Sequence, residues 1–186
     1  MPDASPTNAR FEQLLVCRAQ EGDEEAFRAL IAAYERRLLF FLRRTVNDEH
    51  AALDLLQDVW LIVFRKIRRL KSPAAFRVWI YQIAHDRAVS QVRRERREDD
   101  VLEAAASDAE IIAVDEFAQV DRADLVRNCL DRLPQEQRIL LTLRFLEDLD
   151  LIELAETVRV PVGTIKSRLH YAKQAMRQML KEYEHG

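Results

Sequence analysis

Apolar residues recur along the chain at three- and four-residue steps, and the step is cleanest near the C-terminus, in Val162, Ile165, Leu169, Ala172, Met176 and Met179. At 3.6 residues per turn these positions fall on one stripe of a helix. At roughly 100° per residue Gly163, Ser167, His170 and Gln174 point the opposite way, with Lys166 and Tyr171 beside them and Arg168 and Lys173 on the flanks. The preceding Leu151-Ile152-Glu153-Leu154-Ala155 predicts a shorter helix that Asp150 caps, and Pro161 is well placed to start the next one. The segment Asp150 to Met179 therefore reads as two helices joined by a tight turn, the second dry on one side and basic on the other.

The rest of the chain carries the same helical period. Met1 to Ala9 is expected to be a disordered lead-in. A first helical block runs from about Phe11 to Val46, where Asp23 can cap a helix carrying Phe27, Leu30, Ile31 and Tyr34 on its apolar face. From about Asp48 to Leu70, the residues Leu53, Leu55, Leu56, Val59, Trp60, Ile62, Val63, Phe64 and Ile67 cover most of a helix circumference, which predicts near-complete enclosure. One stripe escapes, made of His50, Asp54, Gln57, Asp58, Leu61, Arg65 and Arg68. Ser72 as cap and Pro73 at the first helical position begin a third helix that runs to about Arg97. Its core face holds Phe76, Ile80, Ile83 and Ala84, and a neighbouring flank holds Trp79, Gln82, Asp86 and Arg93. Glu98 to about Val120 has no sustained stripe and reads as a linker, with a weak helix around Glu110 to Phe117. Helices are then predicted at about 121–133, 134–147, 150–158 and 162–183, and such short connections favour a compact bundle.

Composition sharpens this picture. Hydrophobic residues make up 48% of the 186, enough for real cores, while three glycines and five prolines leave little turn material for sheets. The expected fold is all-α: two small helical bundles, at 10–97 and 121–183, joined by a flexible acidic linker at 98–120, with a helix-turn-helix in the second. Cys17 and Cys129 sit in helical patterns and read as buried thiols. No zinc spacing exists, no cofactor is implied, and no segment offers the ~20 apolar residues of a membrane span. The N-terminus lacks the charged start and apolar run of a signal peptide, so a cytoplasmic location is expected.

The net charge of −3 conceals blocks. Between Arg65 and Arg97 eleven Lys or Arg stand against two acids; Glu98 to Asp124 holds ten acids against one Arg; Arg159 to Lys181 holds six cations and no acid. Two basic modules flanking an acidic connector suit a polyanion, because each neutralised phosphate releases counterions. In the helix-turn-helix, Lys166, Ser167 and His170 are placed to reach base edges in a major groove, with Thr164 and Tyr171 nearby, while Arg168 and Lys173 are better placed for phosphates. The third helix interleaves cations with Phe76, Trp79 and Tyr81, a pattern suited to single strands, although Phe76 also fits a core role. Asp54, Gln57, Asp58 and Leu61 read as a partner surface, since Leu61 is apolar in the middle of an exposed strip. Enzyme readings are weak: His85-Asp86 is a doublet found in metal-dependent phosphohydrolases, but His50, His170 and His185 fall in no ligand pattern, and no glycine-rich phosphate loop is present.

Taken together, the motifs resemble those of a known family. Leu130-Asp131-Arg132-Leu133-Pro134 through Arg138, then Leu143-Arg144-Phe145, Glu153-Leu154-Ala155-Glu156 and Gly163-Thr164-Ile165-Lys166-Ser167-Arg168-Leu169 are similar to the C-terminal domain of bacterial sigma factors of the extracytoplasmic-function group. Phe76-Arg77-Val78-Trp79-Ile80-Tyr81-Gln82-Ile83-Ala84 and Asp54-Leu55-Leu56-Gln57-Asp58-Val59 resemble the N-terminal domain of the same family. The resemblance implies a non-enzymatic transcription initiation factor that binds core RNA polymerase through Asp54, Gln57, Asp58 and Leu61. It implies capture of the melted minus-ten strand by the loop Leu70 to Ala75 and the third helix, with Lys71, Trp79, Gln82, Asp86, Arg93 and Arg94 as contacts. The last helix would read the minus-thirty-five element, the linker would thread toward the active centre, and an anti-sigma protein is an implied partner. The chain departs from the family pattern at Asp86, where Asn is usual, at Leu53, where Glu is usual, and at Asp148 and Arg159, which stand where turn glycines are usual. Two other readings stay open on the residues alone: an autonomous helix-turn-helix regulator, and a helical adaptor whose basic faces bind proteins.

Overall fold

The computed structural model describes residues 6–46, 48–103 and 122–185, and among these every regular element is helical. The α-helices are α1 (Pro6–Glu21), α2 (Glu24–Thr45), α3 (Glu49–Lys66), α4 (Phe76–Glu103), α5 (Arg122–Asp131), α6 (Gln135–Phe145), α7 (Leu151–Val158) and α8 (Val162–His185). Two single 3-10 turns, Ile67–Arg69 and Pro73–Ala75, lie between α3 and α4.

The expected lead-in does not hold for residues 6–9, which already belong to α1. Pro6 occupies the first helical position, where no backbone N–H is required. The expected first block is broken by Gly22, whose φ of 98° is open to glycine at little cost. Asp23 then caps α2, its Oδ1 accepting from the N–H groups of Glu25 and Ala26 at 2.9 and 3.0 Å.

Helices α1 to α4 close around Leu30, Tyr34, Leu38, Phe41, Val59, Val63, Phe76 and Ile80, all buried. Edge-to-face pairs, Tyr34 with Phe76 at 5.4 Å and Phe41 with Tyr81 at 5.7 Å, join α2 to α4. Such pairs add about 0.5–1.5 kcal/mol each to plain area burial. The expectation that α3 is nearly enclosed is overturned, because Leu53 and Phe64 are exposed beside the expected Leu61. With α2 and α4 as its main neighbours, α3 has one side left without cover. Cys17 is likewise exposed rather than buried, whereas Cys129 is buried as expected.

Helix α4 runs six residues past the expected end at Arg97, into the segment read as linker. Residues 98–103 contain no proline or glycine, so nothing in the chain stops the helix there. The short helix expected around Glu110 to Phe117 lies outside the described residues.

The second unit packs α5 to α8 around Leu130, Leu140, Leu143, Leu154, Ile165 and Leu169. Asp150 and Glu153 form a reciprocal capping box on α7, with three bonds of 2.7 to 2.8 Å. Both positions at which glycine would be easiest, Asp148 (φ 52°) and Arg159 (φ 55°), take the left-handed conformation. The turn is thus retained rather than altered, and Arg159 carries a strain of about 1–2 kcal/mol. The two units lie against each other, α7 on α4 and α6 on α2.

Candidate nucleic-acid interface

Helix α8 buries Ile165, Leu169 and Ala172 and half-buries Met176 and Met179, so its opposite side must face outward. Gly163, Lys166, Ser167, His170, Tyr171 and Gln174 are exposed there. A Cβ added at Gly163 would meet nothing within 4 Å, which leaves the start of the helix open to close approach. Thr164 is half-exposed, and its carbonyl accepts from the Ser167 hydroxyl at 3.0 Å. His170 and Tyr171 stack edge to face at 5.7 Å.

The two flanking cations are braced from within the bundle. Arg168 Nη2 lies 3.0 Å from a Glu136 carboxylate oxygen, and the Lys173 ammonium sits 5.2 Å from the centre of the Phe145 ring. Among the described residues Lys166 meets no such brace, and His170 rests against the Tyr171 ring. The outward face of α8 therefore carries exposed donors at its centre and tethered charges at its edges.

The second basic surface begins at the bend after α3. Lys71 is exposed there, and the backbone around it is held by Gln20, whose Nε2 donates to the carbonyls of Ile67 and Leu70 at 2.9 and 2.7 Å. No pattern in the chain marks this strut, since one glutamine in a polar helix face has nothing to distinguish it. On α4 Trp79 is half-buried, its ring 6.1 Å from that of Phe76, which is wholly buried. Gln82 and Asp86 are half-exposed, and Arg93 and Arg94 are exposed farther along. The flank expected from helical spacing exists, but it is not vacant: Gln82 donates to the Glu156 carbonyl at 3.1 Å, and Asp86 Oδ2 lies 2.7 Å from Arg159 Nη2.

The strip on α3 is exposed at Asp54, Gln57 and Leu61 and half-exposed at Asp58, which pairs with Arg87 at 2.8 Å. Leu53 and Phe64, expected inside, widen it into an apolar and acidic surface. Phe64 also borders a cavity of about 670 Å³ with Phe27, Ile31, Arg65 and Arg68.

Among the described residues the most buried charge lies at the junction between the units. Glu147, 2% exposed, lies 2.7 Å from Arg37 Nη2 and beside the buried Tyr81 hydroxyl. Burial pushes its carboxyl above the usual range, with Tyr81 and Arg37 pulling it part of the way back. Burial lowers His85 below the usual imidazole value; Asp86 opposes that shift, while Arg159 and Arg93 add to it. No helix among the described residues is long and apolar enough to cross a membrane.

Residues 30–98 match the Sigma-70 region 2 model and residues 123–176 match that for Sigma-70, region 4. The chain is 33% identical over 181 residues to the RNA polymerase sigma-H factor of Pseudomonas aeruginosa, covering 91% of this chain and 93% of that protein. It is 29% identical over 181 residues to the ECF RNA polymerase sigma-E factor of Escherichia coli K12, covering 89% and 92%. Among solved structures, RpoE in complex with the anti-sigma factor NepR from Bartonella quintana superposes with a TM-score of 0.69 at 21% identity, over 83% of this chain and 96% of that one. CnrH in complex with the cytosolic domain of CnrY gives 0.66 at 20% identity, over 92% and 98%. These two show the likeness of fold.

Proposed function

Since this chain belongs to the extracytoplasmic-function group of the sigma-70 family and, as a transcription initiation factor, binds core RNA polymerase and directs it to promoters, we propose how its faces divide that work. The α3 strip of Asp54, Gln57, Asp58 and Leu61 docks on the polymerase. The bend at Lys71 and the α4 flank of Trp79, Gln82, Asp86, Arg93 and Arg94 take the melted minus-ten strand. On α8, Lys166, Ser167 and His170, with Thr164 and Tyr171 beside them, read the minus-thirty-five element in the major groove, and Arg168 with Lys173 hold phosphates. The first unit spans 10–97 and the second 121–183, with the connector passing between them toward the active centre.

The observation that carries this reading is the exposed face of α8, whose central donors are open to solvent while its edge cations are held by Glu136 and Phe145. That pairing suits base reading at the centre and phosphate contacts at the rim. The chain acts without catalysis of its own, in the cytoplasm. An anti-sigma partner belongs to the same proposal, in parallel with the NepR complex of RpoE.

Transcription in vitro with core polymerase on a promoter library tests the assignment. Initiation restricted to templates sharing an upstream and a minus-ten element is expected. Tight binding to a duplex operator by the chain alone, with no core-dependent initiation, would favour an autonomous regulator; that reading accounts for the region 4 match and leaves the region 2 match without a role.

A further inference from the structure

The bend between α3 and α4 has few bonds of its own. The Leu70 N–H donates to the Ile67 carbonyl and the Ala75 N–H to the Ser72 carbonyl, both at 3.0 Å, and each closes a single 3-10 turn. Between those turns, among the described residues, neither the Lys71 N–H nor the Ser72 N–H donates to any group of the chain. A stretch so thinly bonded recognises a ligand well only if something outside it fixes its shape. Gln20, half-buried near the end of α1, does so. Its side-chain amide has two N–H bonds and uses both, donating to the carbonyls of Ile67 at 2.9 Å and Leu70 at 2.7 Å, 47 and 50 positions away along the chain. Among the described residues no other side chain bonds to the backbone from 67 to 72.

The bond to Leu70 has a consequence for the next residue. The Leu70–Lys71 peptide is trans, so its carbonyl and its N–H point in opposite directions. A Leu70 carbonyl turned in toward Gln20 therefore turns the Lys71 N–H away from α1, at an exposed residue. The strut also stands on a firm base. Beyond it Gly22 takes a φ of 98°, and a Cβ there would lie 3.1 Å from Arg68 Nη2, so the turn after α1 meets the bend at a second point. Arg18 and Asp23 pair across the same turn at 2.6 Å, and Ile67 is 2% exposed.

We propose that Gln20 is a positioning residue for minus-ten recognition: it sets the Leu70–Lys71 peptide so that the Lys71 N–H stands as a fixed backbone donor to an acceptor atom on a base of the melted strand. This rests on the assignment of the bend to that strand. A backbone donor here complements Asp86, whose ionised carboxylate can only accept. Gln20 itself touches no DNA; it acts through the peptide it holds.

The test uses the full chain with core polymerase. Gln20→Met keeps length and neutrality but cannot donate. Lys71→Pro removes the N–H, and Leu70, at φ −69° and ψ 112°, already has the backbone that a following proline requires. Lys71→Ala, which loses the ammonium and keeps the N–H, is its control, and thermal melting checks folding. The bend is read by hydrogen exchange of peptic fragments covering 67–75, and recognition by run-off transcription over all four bases at each minus-ten position. Gln20→Met is expected to speed exchange and to lower the ratio of preferred to disfavoured base at one position, each about threefold to tenfold, as loss of two neutral hydrogen bonds allows. Lys71→Pro should flatten that same position more than Lys71→Ala does. Core affinity and upstream preference should stay as in the parent, which loss of a merely structural glutamine would not single out. Unchanged exchange in a folded Gln20→Met overturns the strut. Flattening in Lys71→Pro no greater than in Lys71→Ala overturns the backbone donor. Faster exchange in Gln20→Met, with minus-ten profiles unchanged in all three variants, overturns the proposal by removing the bend from the melted strand while leaving the strut in place.

Discussion

Glu147 and Arg37 meet across the junction of the two helical units, carboxylate to guanidinium at 2.7 Å, with the glutamate 2% exposed and the arginine side chain one-third exposed. One partner is thus cut off from water while the other still reaches it. Removing Glu147's charge leaves Arg37 able to turn outward, whereas removing Arg37 strands a buried carboxylate.

The pair leads to a pH prediction with two opposing parts. Burial raises the Glu147 carboxyl above its ordinary 4.5, so the folded chain holds that proton to higher pH than the unfolded chain does. Its contribution to stability therefore grows as pH falls through the folded value and is complete below 4.5. Burial lowers His85 below 6.5, so its contribution is complete above 6.5 and is lost as pH falls toward the folded value. His85 faces Asp86 and Arg93 on α4, Arg159 in the α7–α8 turn, and Glu136 and Arg168 around the junction cavity. Urea midpoints from neutral to mildly acid pH should show His85→Gln flattening the loss just below 6.5 and Glu147→Gln flattening the gain just above 4.5. Parallel profiles for all three proteins would show that neither group is linked to folding.

Polymerase docking should depend on the α3 strip. Asp54→Ala with Asp58→Ala, or Leu61→Glu, is expected to weaken binding to core while the melting temperature stays close to the parent. Losing the exposed Asp58–Arg87 pair costs the fold at most about 1 kcal/mol. Retention of core by the folded double variant at unchanged affinity would remove the strip from the interface.

At the upstream element the central and flanking cations should behave differently. Lys166→Ala or His170→Ala should cost about 1–3 kcal/mol and relax preference at one base position. Lys173→Ala should weaken all sequences alike and reduce the salt dependence, as loss of a phosphate contact does. Selection of promoter variants by each protein decides this; altered base preference in Lys173→Ala with none in Lys166→Ala would reverse the orientation of α8.

Asp86 should shape base choice in the minus-ten region. An ionised carboxylate accepts from an exocyclic amine and cannot donate to a carbonyl oxygen, which favours cytosine or adenine over thymine at the position it faces. Asp86→Asn is expected to broaden or shift that preference without changing upstream recognition. Run-off transcription over all four bases at each minus-ten position is the measurement, and identical profiles would leave Asp86 with the Arg159 contact as its role.

Most helices, the Asp23 and Asp150 caps and the outward face of α8 were legible in the chain, because those depend on a 3.6-residue period and on side chains acting on their own backbone. Ser72, expected as a cap, instead makes no side-chain cap bond and opens only a 3-10 turn before α4 begins at Phe76. Asp23 and Asp150 cap as their positions require, and Ile165 and Leu169 are buried while Lys166 and His170 are not. Tertiary structure decided what lies on each face. A helix as apolar as α3 does not reveal which of its residues its neighbours will fail to cover, and Leu53 and Phe64 proved to be outside. The stop of α4 was misplaced because a run of acids marks charge without containing a helix breaker. Least legible were the contacts between units. Arg37 and Glu147 are 110 positions apart, and Asp86 and Arg159 are 73 apart. No local period links such residues; they meet because the apolar faces of two bundles must be buried somewhere, and the polar groups at the rim then take the partners that this packing brings within reach.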